Sequence, residues 1–494
     1  MVFNSIGFLI FFPIFFLLYK ILPLKVRWIM MLALSYFFYM SWQADLIYLI
    51  LFTTCVSYFC ALGIEKHRNK PRACKAFMLT AVIVSLLVLF FFKYFNFLSN
   101  SITSLLTLMG LGVSELTLDL ILPVGISFYT FQTLSYVIDV YRGTIPAERH
   151  FGYYALYVSF FPQLVAGPIE RPENLIPQLK TKNPFTVNDA TVGLKFMLVG
   201  FFKKIAVADQ ISKYVDAVYN NAHGGAEIVN GFTVALATVL FAVQIYCDFS
   251  GYTDIAIGCA RVLGIRLMQN FNNPYSAVNI KDFWRRWHIS LTSWFTDYVY
   301  IPLGGSRCKK WRHLMNVMIV FLLSGIWHGA AWTYVLWGVV HGVYQIVGNL
   351  TAKYRPKLIA RIGIIENSPF DVWSRRVITF TLVCLAWMIF RANSFADLGT
   401  LMKTLFTGWG GVSISASLEA LGMSTVSLVT VILSVIVLGQ LDNQINTRPD
   451  LDNSALPISP SRSLVYVSLC WTVAIAWIIL LASNTESAFI YFQF

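Results

Sequence analysis

Apolar residues fall in blocks roughly 20 long, the length needed to cross ~30 Å of hydrocarbon, separated by short polar or basic stretches. The pattern predicts helical spans near 5–22, 26–41, 44–64, 76–98, 120–140, 151–166, 192–210, 229–249, 313–328, 331–350, 375–390, 424–440 and 464–482. The fold class expected is all-α: a polytopic helical membrane protein, with a re-entrant central core around a membrane-centre chamber. The chain reads as a single integral-membrane domain over 1–494, with N-terminal spans in 1–120, a catalytic core in 121–350 and C-terminal spans in 351–494.

The re-entrant core is expected where the apolar blocks are broken. Leu122 to Val140 carries Pro123, Gly125, Gln132 and Asp139, and Phe160 to Glu170 carries two prolines and a glycine. Irregular backbone at membrane depth is tolerated only when it is buried in protein or faces a wet cavity. No internal repeat is visible, which argues against an inverted-repeat transporter.

Composition agrees with the pattern. The chain is 57% hydrophobic and 12% charged, with mean hydropathy +0.65, against about 25% charged in soluble domains. Eight scattered cysteines without CxxC spacing exclude a disulfide framework or thiolate metal site. The first block lacks a basic leader and a small-residue cleavage site, and reads as a retained span.

The net charge of +13 does not point to nucleic acid, because the basic residues lie in loops between apolar blocks. Lys66 to Lys75 and Lys353 to Arg376 are the basic loops, whereas Ser99–Asp119 has no Lys or Arg. The expected orientation puts the N-terminus and the 99–119 connector outside and the basic loops inside.

Two histidines carry the candidate chemistry. His328 sits in Ser324-Gly-Ile-Trp-His-Gly-Ala-Ala-Trp332, between two long apolar runs. Ionisable groups at membrane depth cost free energy and usually line a cavity or reaction path. Counting from Leu314 places His328 roughly 20 Å into the ~30 Å core, at the tip of a hairpin whose small residues allow close approach. Four readings of His328 stay open: a helix–helix contact, a metal ligand, half of a Ser324–His328 dyad, or a general base. His341 is about 220° away around a helix, which does not make an i, i+4 zinc pair. A GxSxG elbow and an orienting carboxylate are absent nearby, and a mid-helix Ser usually bonds its own i−4 carbonyl. A neutral imidazole taking a hydroxyl proton is the simplest chemistry.

His288 lies in Asp282-Phe-Trp-Arg-Arg-Trp-His-Ile-Ser290, within a polar stretch, 268–312, that is unsuited to spanning. An interfacial helix starting near Asn279 would put Trp284 and His288 on one face and pair Asp282 with Arg286; the bland alternative is an interfacial anchor. A third constellation places Asp248 and Asp254 beside Ser250, Tyr252 and Thr253. It reads as a proton relay or as structural groups at a helix break.

These stretches, with Leu122–Gln132, Phe161–Arg171, Asp248–Gly258, Asn273-Pro-Tyr, Tyr300–Gly305, Gly325–Gly329 and the terminal Phe489-Ile-Tyr-Phe-Gln-Phe494, resemble the membrane-bound O-acyltransferase family, bacterial alginate O-acetylation type. The resemblance covers nearly the whole chain. It places His328 on the family's catalytic histidine and His288 on its second polar position.

The resemblance implies an acyltransferase of the bacterial inner membrane that passes acetyl from a cytoplasmic donor, acetyl-CoA, across the membrane to an exported polysaccharide. It implies no permanently bound cofactor and no metal. The implied partners are an extracytoplasmic SGNH-type transferase or esterase, a polysaccharide export complex and membrane lipid, with no nucleic acid. The alternatives are transfer of another acyl group, of the D-alanyl type, and a non-enzymatic transporter or scaffold. The polymer is left open, since one chemistry serves several acceptors.

Overall fold

The computed structural model describes residues 1–446 and 464–481 and contains no strand among them. The chain is an all-α, multi-pass membrane protein. Five described helices are long and apolar enough to cross a bilayer: Ala44–Lys66, Pro71–Leu108, Gly231–Val262, Pro369–Arg391 and Thr425–Asp442. Ile6–Ile21 and Trp471–Leu481 are shorter apolar helices. The terminal stretch Phe489–Phe494 lies outside the described residues. None of the seven cysteines whose side chains are described forms a disulfide.

The chain divides into two compact units, Met1–Met197 with Thr253–Met268, and Leu198–Tyr252 with Gln269 onward. In the first unit the expected break after residue 120 is present. A helix starts at Ile126 behind Gly125, whose φ of 74° suits glycine, and ends at Arg142 against Gly143, whose φ is 81°. Nearly all of it is buried, including Gln132 and Asp139.

The block expected as one span at 151–166 is instead a short helix, Phe151–Ser159, followed by a single turn, Phe161–Leu164. Its irregular backbone is satisfied by side chains. Gln163 donates to the Tyr157 carbonyl at 2.8 Å, and the Tyr157 hydroxyl donates to the Glu170 carbonyl at 2.9 Å. Buried polar backbone must find such partners.

Two expected boundaries move. The span predicted to stop at 98 continues through a π-helical turn, Phe90–Tyr94, and a helix, Phe95–Leu108. Half of the 99–119 connector is therefore helical. Its hydroxyls do not stop the helix because they can bond back along it, as Ser101 does to the Phe97 carbonyl at 2.7 Å.

The span predicted to end at 249 runs on to Val262. Asp248 and Asp254 therefore lie within a continuous helix and not at a break. For Asp248 the reason is lateral charge pairing. Lys204, on a π-helical turn Phe202–Ala208, meets Asp248 at 2.7 Å and Asp209 at 2.9 Å. Next to it, Lys203 meets Asp442 at 2.6 Å, and the Tyr246 hydroxyl donates to the same carboxylate at 2.6 Å.

Candidate active site

The site lies in the second unit and begins with a helical hairpin, Lys310–His328 followed by Trp332–Thr351. Glycine sets how tightly it closes. A Cβ on Gly325 would lie 2.4 Å from the Tyr334 carbonyl oxygen, and one on Gly338 would lie 2.4 Å from the Phe321 carbonyl oxygen. At the tip, a Cβ on Gly329 would fall 2.1 Å from the Tyr334 ring. Only hydrogen fits at these contacts.

His328 is the last helical residue of the first limb, and Gly329 turns the chain into extended backbone after it. The imidazole is buried among aromatic rings. Centroid separations are 4.9 Å to Trp327, 5.0 Å to Trp337 and 5.5 Å to Phe390, all close to edge-on. Phe390 comes from the Pro369–Arg391 helix, and its neighbour Trp387 stacks on Trp337 at 5.9 Å.

His288 reaches the same place by a different route. The expected helix from Asn279 does start there, with the Asn279 side chain capping the Asp282 N–H at 2.8 Å, but it ends at Trp284. His288 then adopts left-handed backbone, φ 45° and ψ 54°, and opens the next helix, Ile289–Phe295. Trp284 and His288 consequently do not share a helical face. The Asp282–Arg286 pair does form, at 2.9 Å. The segment is no interfacial anchor either, since Phe283, Trp284, Trp287 and His288 are all buried.

Left-handed backbone costs a non-glycine residue about 1–2 kcal/mol, so something must hold it. Asn270 does. Its carbonyl accepts from the Ile289 N–H at 2.9 Å, and its side-chain oxygen accepts from the Ser290 N–H and hydroxyl at 3.2 and 2.9 Å. A further backbone bond joins the Asn272 N–H to the Arg286 carbonyl at 2.9 Å. The strain is thus overdetermined by its surroundings, the condition under which such outliers persist.

The two histidines come together, with ring centroids 6.3 Å apart. His288 packs edge-on against Phe249 at 4.6 Å and also meets Trp327 at 5.8 Å. Ring centroids 6.3 Å apart leave the two imidazoles beyond direct hydrogen-bond reach of each other, so each can act only on a group placed between them. Among the described residues no group of three or more His, Cys, Asp or Glu could hold a metal ion.

A cavity of about 430 Å³ lies against the same hairpin, and neither His288 nor His328 lines it. It runs along the first limb of the hairpin from His313 past Val317, Val320 and Phe321 to Ser324, one turn before His328. Lys281, Arg285 and His313 line it as basic groups, and Tyr300 bonds the His313 Nδ1 at 2.9 Å. Trp284, Leu291, Phe295 and Phe321 are among its apolar wall residues.

A chain of this kind has well-populated relatives. It is 34% identical to the probable alginate O-acetylase AlgI of Pseudomonas aeruginosa, with both chains covered completely. Residues 146–358 match the model of the MBOAT, or membrane-bound O-acyltransferase, family. The chain belongs to the membrane-bound O-acyltransferase family. It is an acyltransferase. The peptidoglycan O-acetyltransferase of Helicobacter pylori is 36% identical over 82% of this chain and 79% of its own. The teichoic acid D-alanyltransferase of Bacillus subtilis is 29% identical over 64% of this chain and 78% of its own.

The Phe161–Arg171 stretch of this family member falls in the first unit. There Glu170 is fully buried, and its carboxylate accepts from the Met268 N–H and the Asn174 amide. Reasoning from sequence missed Asn270, Trp337 and Phe390. Asn270 stood in a polar loop without a motif of its own, and Phe390 is brought in by a helix 62 positions after His328. Trp337 had a usable signal, since it lies on the return limb of the histidine hairpin.

Proposed function

We propose that this chain is an O-acetyltransferase of the bacterial cytoplasmic membrane that moves acetyl from acetyl-CoA to the O-acetylation of an exported or cell-envelope polysaccharide. The observation that carries the donor half is the cavity. Its path from His313 to Ser324 is about 16 Å at the helical rise, and its basic groups suit the phosphates of a CoA-type donor. Arg307, Lys309, Lys310 and Arg312 lie at the same end of the hairpin, which the positive-inside bias assigns to the cytoplasm.

His328 serves as general base in this proposal. It takes the proton of the attacking hydroxyl as that oxygen bonds to the thioester carbonyl carbon. The C–S bond then breaks, and the proton passes to the departing sulfur, leaving an ester and a free thiol. His288, 6.3 Å away between ring centroids, supports that imidazole and the substrate. The next acceptor on the outer side is an extracytoplasmic SGNH-type transferase or esterase working with a polysaccharide export complex; the likeness of the motifs to the alginate type supports that part.

His288→Ala should slow acetyl transfer about tenfold, the scale of one lost polar contact, and less than His328→Ala. Asn270 still holds the backbone, so the variant should purify as a folded protein. Kinetics on that protein check this, and a folded variant as inactive as His328→Ala would place both histidines directly in the chemistry.

The function itself is tested by removing the chain from its host and measuring ester groups on the extracellular polymers. The expected result is loss of ester-linked acetate, restored by the intact chain. The D-alanyl relative gives the second reading a specific basis, and loss of ester-linked D-alanine with acetate unchanged would establish that reading instead.

A further inference from the structure

Trp284 forms part of the cavity wall, yet it ends a helix of only five residues, Ile280–Trp284. Its indole N–H is held from the other side of the site. It donates to Nδ1 of His341 at 3.2 Å. His341 is fully buried in the second limb of the hairpin. At the following residue, Gly342, the Met318 thioether of the first limb packs close, since a Cβ there would lie 2.7 Å from its sulfur.

An Nδ1 that accepts defines a neutral imidazole with its proton on Nε2. That Nε2 meets no hydrogen-bonding group among the described residues, so the bond to Trp284 is the ring's polar contact there. The ring otherwise packs on aromatics. Phe321 lies stacked at 6.1 Å, Trp284 edge-on at 5.1 Å and Trp337 at 4.8 Å. Phe321 and Trp284 both line the cavity, and Trp337 is the ring that touches both His341 and His328.

We propose that His341 is a positioning residue of the cavity: by fixing the Trp284 indole in the wall, it sets the affinity for the acyl-bearing arm of the donor and not the rate of acyl transfer. This rests on the cavity being the donor site. A third histidine beside a two-histidine centre invites a role in proton transfer, but its route to His328 passes through the Trp337 ring, and its accepting nitrogen is already engaged.

The test is steady-state kinetics on purified full-length protein with acetyl-CoA varied. His341→Ala should raise KM about tenfold with kcat within about twofold, as expected for loss of one buried hydrogen bond used equally in ground and transition states. His341→Asn retains an acceptor near the Nδ1 position and should return KM to within about threefold of the parent. Trp284→Phe should match His341→Ala, and the double variant should be no worse than either single, because both remove one interaction.

A fall in kcat with KM unchanged would overturn the proposal. So would a folded His341→Asn that behaves like His341→Ala. If His341→Ala does not yield folded protein, the His341→Asn and Trp284→Phe pair decides between the same outcomes. A separate Thr292→Trp variant, which fills the cavity, should raise KM for acetyl-CoA. An unchanged KM there would overturn the donor reading itself, whatever His341 does.

Discussion

Replacing His328 with alanine is expected to lower acetyl transfer by about 10²–10⁴-fold, the usual worth of a positioned acid–base group. The site offers no second imidazole in the same place, because His288 lies on left-handed backbone pinned by Asn270 and its ring faces Phe249. The protein should remain folded. The rings around His328 support one another without it, with Trp337 and Trp387 each 5.4 Å from Phe390. Gly325 and Gly338 also keep the hairpin closed independently of the imidazole. The check is turnover of purified, monodisperse variant beside the parent. Retention of most activity would remove His328 from the chemistry.

The second large effect is expected on stability. Lys204 stands between Asp248 and Asp209, and all three side chains are less than a tenth exposed. Lys204→Ala removes the cation from two buried carboxylates, and breaking a buried pair from one side typically costs about 3–5 kcal/mol. A sharp fall in the thermal midpoint of the detergent-solubilised protein is expected. Asp248→Asn in the same chain should recover part of it, since one of the stranded charges is then gone. An unchanged midpoint in Lys204→Ala would mean that this cluster does not hold the helices together.

That cluster also shows where the sequence was legible and where it was misread. Two adjacent lysines inside an apolar block announce buried partners, and Asp248 was visible as a candidate. Their meeting was not visible, because it needs the π-helical turn Phe202–Ala208 to aim both lysines at separate acids. For want of that pairing, Asp248 looked like the end of a helix that in fact continues to Val262.

The hairpin was readable because its signal is local. An ionisable residue between two apolar runs, with glycine beside it, defines both limbs and the tip without any long-range contact. His288 was readable as a residue but not as a conformation. The spacing Trp284 to His288 suits one helical face only if the helix continues, and the left-handed turn is set by Asn270, eighteen positions upstream. The aromatic wall drew on residues as distant as Phe249 and Phe390, which no spacing rule connects to His328. Motifs thus singled out the two histidines, whereas the side chains that pack around them emerged only from tertiary structure.

In the proposed reaction this membrane protein breaks a thioester and does not merely move its substrate. The most direct measurement follows free CoA thiol released from acetyl-CoA by purified protein in lipid nanodiscs. Release that depends on the parent chain and is lost with His328→Ala is the predicted result. Uptake of acetyl-CoA into sealed vesicles with no free thiol formed would contradict it.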